Sequence, residues 1–414
     1  MPWPADRLQR GAGRLSRFGF IIRETLRNVM SNWIEAENLE VTPTIHVPGY
    51  KFRTIIPYGD VLYDPHLCNW VAQDGSVPIC DVGGQPRNTI FDPHHGHGAI
   101  WWLRPDDRLE PAVPWGHVQL GMPMFPRCAP PSFGHWAGHF LILAQLHPGR
   151  AGAHWDHVIQ KWDGRSDRFE TFAILPRNNS AQGEGIPSAL IPGEFGPDGT
   201  EYEGSYFCTA LRNNTIYRIF GNGRSESHVI LDGRDNPSLL PRAFCFGSGD
   251  NFPDFPQYRG KMIVGGVPNT NFTATGDDNK GRVVGQDVAF HVIEDGRCSP
   301  EPFFVGNRMH AFPSRAPSTF GPLSDSLFYT DHGSIMQSQS IRDFDAYPHD
   351  AGVHYRDQGG ALRPFVTNLR SGRNDMQFAG NRLLITNWGK SYSTGEFHEA
   401  DGAIWEIVYD PAGA

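Results

Sequence analysis

The sequence has little of what builds a helical, disulfide-linked or membrane-crossing protein. Its six cysteines, Cys68, Cys80, Cys128, Cys208, Cys245 and Cys298, lie far apart and none stands in a CxxC pair. That spacing gives no zinc cluster or disulfide framework and points to buried free thiols. No apolar run is long enough to span a bilayer. Arg17, Arg23 and Glu24 interrupt the amino-terminal apolar stretch, so it has no clean export core, and the expected location is cytoplasmic. Beyond the first forty residues almost nothing reads as a helix. A formal net charge of −9 argues against a general nucleic-acid binder.

What is present is turn residues and aromatics. The 414 residues hold 47 Gly and 34 Pro, and 12% are aromatic. Many short strands separated by turns fit these numbers. The exception is residues 14–34, where Leu15, Phe18, Ile22, Leu26, Val29 and Trp33 recur at helical spacing with Arg14, Arg17, Arg23 and Arg27 largely elsewhere. Residues 1–43 are therefore expected to form an amphipathic helical extension. It either packs on the main domain or serves self-association or peripheral membrane contact. Residues 44–414 form the second domain.

That domain repeats. Gly-Ala-Ile-Trp occurs at 98–101 and again at 402–405, each time closing a longer similar stretch. Apolar second strands read as SVPICDV, HFLILAQ, GSYFCTAL, KMIVGGV, SLFYTD and RLLITNW, each followed by a polar loop and a third strand. Six such four-stranded units imply an all-β, six-bladed β-propeller, a ring that hides most sheet edges. The last unit has no fourth strand of its own. The orphan strand KFRTIIPYG (51–59) is expected to complete it, which makes the first and last blades neighbours.

In a propeller, the entries to the inner strands and the loops between second and third strands open on one face, the mouth. This geometry puts His66, Arg242, Arg315, Asn374 and Asp375 at inner-strand entries, with Glu184 in the long entry loop of the third blade. The mouth-side loops hold Asp92, His94, His95 and His97, then His147 and His154, Asn213, Asn269, Asp331 and His332, and finally Asn387, Trp388, Lys390, Glu396 and His398. His135 and His139 fall in a first-to-second-strand turn, on the opposite face. His228 and His291 read as structural histidines of outer strands. The loop FDPHHGHG offers imidazoles for Zn, Fe, Cu or Mn, and a plain loop held by aromatic packing is its other reading. Asn374 and Asp375 are hard oxygen donors suited to Ca²⁺, or else caps of a turn.

The stretches RNDMQFAGNRLLITNWG (373–389) and SRAPSTFGPLSDSLFYTDHG (314–333) are similar to the Asn-Asp inner-strand entry and the Thr-Asp second-strand end of six-bladed propeller enzymes of the SMP-30/gluconolactonase and paraoxonase-like superfamily. The resemblance implies metal-ligand roles for Asn374 and Asp375 and a second-strand-end role for Asp331 and His332. The chain departs from the pattern at the first blade, where His66 stands in place of a Glu ligand. Residues 308–333 also resemble the glucose/sorbosone dehydrogenase propellers, which hold pyrroloquinoline quinone (PQQ). Arg242, Arg315 and Lys390 are the cations such a quinone needs.

The expected function is hydrolysis of a small lactone or ester by a bound divalent metal that polarises the carbonyl. Asn374 and Asp375, joined by Asn213 and Asn269, hold the metal, with His94, His95 and His97 as an alternative transition-metal set. His66 or His332 moves protons beside Asp331, and Arg242, Arg315, Trp388 and Lys390 bind substrate. A metal-assisted lyase or isomerase uses the same parts. A PQQ-dependent sugar dehydrogenase and a non-catalytic interaction propeller are the other readings, since fold alone does not imply chemistry.

Overall fold

The structure is a computed structural model. It describes residues 43–82, 98–115, 117, 120, 122–146, 156–175, 190–210, 214–247, 260–268, 288–306, 310–333, 349–357, 361–370, 374–387 and 402–413. The expected amino-terminal helix and the His94–His97 loop lie outside the described residues.

Six antiparallel sheets follow one another along the chain. Blade one comprises Pro65–Leu67, Val77–Asp81, Ala99–Leu103 and Leu109–Val113. Blade two comprises Met122–Cys128, Phe140–Leu146, Asp156–Trp162 and Phe169–Ile174. Blade three comprises Leu190–Phe195, Ser205–Ala210, Thr215–Phe220 and Ser225–Ile230. Blade four has Leu239–Gly247, Lys261–Pro268 and Val288–Glu294, and its fourth position is split into Arg297–Cys298 and Phe304–Gly306. Blade five runs His310–Arg315, Leu327–Asp331, Ala351–Arg356 and Leu362–Leu369. Blade six has Asn374–Ala379, Arg382–Asn387 and Ala403–Tyr409. The first strand of each blade neighbours those of the two adjacent blades, so the six first strands form the inner ring.

The ring closes as the sequence implies. Tyr50–Ile56 supplies the fourth strand of blade six, with Tyr50 opposite Tyr409 and Thr54 opposite Trp405. Thr44–Ile45 goes further and adds a fifth strand to blade five, against Thr367 and Val366. One short segment thus clasps two adjacent blades. The Tyr50 hydroxyl donates to the Phe320 carbonyl (2.5 Å) and accepts the Leu323 N–H (3.2 Å). Arg53 and Arg382 both bond the buried Glu406, and Arg53 also reaches Asp107 in the outer turn of blade one. Gly402, of the second Gly-Ala-Ile-Trp copy, lies against blade one so tightly that a Cβ there would come within 2.7 Å of Pro65 and 2.9 Å of the Tyr63 carbonyl.

The core is divided into wedges between blades. Ile142 and Trp162 pack with Cys80 and Ile100 between blades two and one, and Tyr206 with Leu143 between three and two. Met262 packs with Phe207 between four and three, Tyr329 with Ile263 between five and four, Met376 with Phe328 between six and five, and Ile79 with Leu384 between one and six. Each sheet is covered on both faces, which explains why the second strands read as continuous apolar runs without alternation. Val77–Asp81, Leu327–Asp331 and Leu383–Asn387 are buried at every position. Cys68, Cys80, Cys208 and Cys298 are buried in these wedges, and all six cysteines are free.

Removing the Tyr50 hydroxyl isolates the clasp from the packing of its ring. Tyr50→Phe is expected to lower stability by about 1–3 kcal/mol, because Phe320 and Leu323 lose their buried partner. Urea unfolding measures it, and an unchanged midpoint would show that the clasp carries no stability through this contact.

Candidate active site

The inner strands have a neighbour on only one side within their sheet. Proline, which removes a donor, is tolerated in such edge positions. The strands of blades two to five each carry a register irregularity, at Met124/Arg127, Ile191/Glu194, Pro241/Ala243 and Ala311/Ser314, and each coincides with a proline. Such bulges re-aim the side chain that follows. In blade two the bulge forces Phe125 to φ 47°, a left-handed backbone that costs about 1–3 kcal/mol for a bulky residue. It sets the Phe125 ring edge-on to the His66 imidazole at 4.4 Å, and Arg127 follows between the inner strands of blades one and three.

Arg127 is buried, and its hydrogen bonds join three blades. Nε donates to the Gly193 carbonyl (2.9 Å) and to Glu194 Oε1 (3.0 Å) of blade three. Nη1 donates to the Leu67 carbonyl of blade one (3.2 Å) and to Pro126 (3.1 Å). Burial works against its charge, but the carboxylates of Glu194 and Asp375 more than offset this and hold the guanidinium protonated. Asn69 Nδ2 completes the set by donating to Glu194 Oε2 (3.3 Å).

His66 and Asp375 hold matching places in adjacent blades: each is the second residue of its inner strand, opposite Cys80 and Thr386 respectively. Both are fully buried. Asp375 Oδ2 accepts the Leu67 N–H (3.0 Å) and Oδ1 its neighbour's, Met376 (2.8 Å). Burial pushes the Asp375 carboxyl above the ordinary carboxylate range, and Arg127, His66 and the two N–H groups pull against it. On its other side His66 Nε2 lies 3.4 Å from Asp64 Oδ1. Asp81, at the mouth end of the second strand, accepts the N–H groups of Asp64 (2.7 Å) and Tyr63 (3.0 Å) and so fixes the turn that presents Asp64. Burial also raises the Glu194 carboxyl, with Arg127 and Asn69 opposing. Glu194 keeps 24% of its side chain exposed and is the partly open member of the cluster.

The structure places His66 and Asp375 near each other, with Asp64, Asp81, Arg127, Glu194 and Asn69 around them. The pair Pro126-Arg127 and the triplet Pro192-Gly193-Glu194 share with Pro65-His66 and Pro241-Arg242 a proline shortly before a polar inner-strand residue. Arg315 does not stand at the mouth. It ends the inner strand of blade five opposite Leu327 and pairs with Asp325 in the first-to-second-strand turn, so it sits at the far face and cannot serve the mouth. Asp331 accepts the Gly333 N–H (2.9 Å) at the mouth end of blade five, where His332 is also buried, and these two are separated from His66 in ring order by blade six. His135 and His139 lie in the turn before Phe140, opposite the mouth, as expected. His291, in the outer strand Val288–Glu294, bonds the Ser299 carbonyl just past Arg297–Cys298 (2.8 Å). Asn213, Asn269, Trp388, Lys390, His94, His95, His97 and the side chains of Arg242 and Asn374 lie outside the described residues.

A divalent metal needs several anionic or neutral donors facing one point. Among the described residues, no group of three or more His, Cys, Asp or Glu is so arranged. Asp375 is the described member of the oxygen set, and both of its oxygens already accept backbone N–H groups while the Arg127 cation lies within its field. These donors do not fit a dication by themselves.

Arg127→Met should cost on the order of 3 kcal/mol, because the buried Asp375 and the half-buried Glu194 lose their counter-charge. A carboxyl whose folded pKa is raised favours the fold below its unfolded pKa and loses that contribution as pH rises through the folded value. The deficit should therefore be smallest in mild acid and grow toward neutrality. Thermal unfolding at several pH values checks this, and a deficit independent of pH would mean that packing, not charge, is what Arg127 supplies.

No family model matches the chain, and no curated protein matches it. Among solved structures it is similar to an α-L-arabinofuranosidase of Fusarium graminearum in complex with an iminosugar inhibitor, at 8% identity and TM-score 0.52, covering 86% of this chain and 97% of that one. It is also similar to a gluconolactonase of Xanthomonas campestris, at 12% identity and TM-score 0.47, covering 88% and 94%. A soluble aldose sugar dehydrogenase of Escherichia coli matches at 11% identity and TM-score 0.49, covering 87% and 99%. The likenesses expected from the sequence, to gluconolactonases and to sugar dehydrogenases, are thus found among solved structures. The arabinofuranosidase likeness, at 8% identity and TM-score 0.52, shows the fold alone.

Proposed function

We propose that the chain is a propeller hydrolase of small lactones or esters, with His66 as the base at the ring axis. The carrying observation is the fully buried His66 imidazole beside the Asp64 carboxylate, with Asp375 at the matching position of the next blade. A base must be oriented before it can act, and a carboxylate on one ring nitrogen orients the other. The lactone or ester as substrate rests on the resemblance of residues 373–389 and 314–333.

Water adds to the carbonyl carbon as His66 Nδ1 takes its proton, and the carbonyl π pair moves to oxygen. The pair returns, the carbon–oxygen bond to the leaving oxygen breaks, and His66 delivers the proton to that oxygen. Asp64, fixed through Asp81, stabilises the intervening imidazolium. Asp375 holds the Leu67 N–H and so the backbone next to His66.

The test is hydrolysis of a panel of sugar lactones, including gluconolactone, and simple esters. Wild-type protein should turn over a member of the panel. His66→Gln should lower kcat by roughly 10²–10⁴-fold, as loss of a general base does. His135→Ala, on the opposite face, should leave the rate unchanged. No turnover by wild type, or a His66→Gln variant as fast as wild type, would sink the reading.

A further inference from the structure

Tyr206 stands in the second strand of blade three, opposite Phe195. It is wholly buried, and its hydroxyl has no hydrogen-bond partner among the described residues. The hydroxyl occupies the space that a side chain at Gly193 would fill, since a Cβ there would lie 2.0 Å from the Tyr206 oxygen and 2.3 Å from Cζ. Gly193 is also the residue whose carbonyl accepts Arg127 Nε, and Glu194 follows it in the chain. The glycine therefore leaves room for a phenol against the residue whose carbonyl accepts Arg127, and the Arg127 and Glu194 charges both act on that hydroxyl.

A buried hydroxyl without a partner destabilises a fold by about 1–3 kcal/mol, and phenylalanine would fill the same volume without that loss. A residue that breaks a local rule in this way marks a place where structure yields to function. We propose that Tyr206 donates a hydrogen bond to the carbonyl oxygen of an axial substrate and, with Arg127, stabilises the negative charge that develops there. The inference rests on the hydrolase reading above. When water adds to the carbonyl carbon, the π electron pair moves to the oxygen facing Tyr206, and the proton of water goes to His66. Tyr206 keeps its own proton throughout, and the oxygen returns its pair when the leaving group departs. Burial holds this phenol well above its ordinary range, although Arg127 opposes it, so it remains a donor. Fixed donors in a water-poor site stabilise an oxyanion far more than the same donors do in water.

Tyr206→Phe separates function from packing. The variant should melt at a higher temperature than wild type, with kcat on the responsive lactone or ester reduced roughly 10²-fold and KM little changed. A higher melting temperature with unchanged kcat would show a packing remnant and overturn the proposal. A lower melting temperature with unchanged kcat per folded molecule would overturn it as well. Should wild type hydrolyse nothing in the panel, the reaction reading falls separately, and calorimetric binding of gluconate then judges Tyr206. Weaker binding by the Phe variant supports the hydroxyl as an axial donor, whereas equal binding, or none by either protein, overturns it.

Discussion

A buried guanidinium shared by the inner strands of three adjacent blades is what the polar cluster depends on. Apolar side chains fill the wedges between blades, but the inner strands meet one another edge to edge, where backbone carbonyls need donors. Arg127 supplies donors to three blades at once: Leu67 of blade one, Pro126 of its own and Gly193 of blade three. Its charge is balanced by Glu194 and Asp375. Burying an ion is costly unless it is paired and hydrogen-bonded, and here each requirement is met by a different blade. The ring geometry and the charge pattern therefore stabilise each other, and neither carboxylate would tolerate its depth without the cation.

Around that cation the candidate site is built in layers. His66 touches Asp64, Asp64 is presented by a turn that Asp81 holds, and the Phe125 ring limits the imidazole from the side. Equivalent second-strand ends in other blades do related work: Asp331 turns the chain at Gly333, and Asn387 joins the Tyr58 hydroxyl (3.1 Å) to the Arg370 carbonyl (3.3 Å). The repeat thus offers a polar position at the mouth end of several blades, and blade one uses its copy to aim a carboxylate at an imidazole.

The blades and the closure were legible because second strands are buried on both faces and read as unbroken apolar runs. The orphan strand 51–59 was legible because a final unit without a fourth strand needs one. The axis was only half legible. Inner strands have one open edge, carry prolines and bulges, and show no clean alternation, so their starts are hard to place. Arg315 reads as an entry residue because the strand beginning at His310 has no apolar pattern to announce it, and Arg127 gives little signal because it follows Pro126 late in its strand. Glu194 lacks any local signal apart from the preceding Pro192 and Gly193. The small fifth strand at Thr44–Ile45 is two residues long and left no trace in the pattern.

The clasp between Tyr50–Ile56 and Ala403–Tyr409 also sets a timetable. Arg53 and its partner Glu406 are 353 residues apart in sequence. At a synthesis rate of about 5–20 residues per second, the early strand waits roughly 20–70 s for the strand it will pair with. During that interval it is an unpaired edge, the kind of segment that recruits other chains. Lys51 and Arg53 stand on it, both largely exposed even in the finished ring, where they pair with Asp410 and Glu406. The same two charges that fasten the closed ring thus keep its waiting strand from pairing with the wrong partner while the ribosome finishes the last blade.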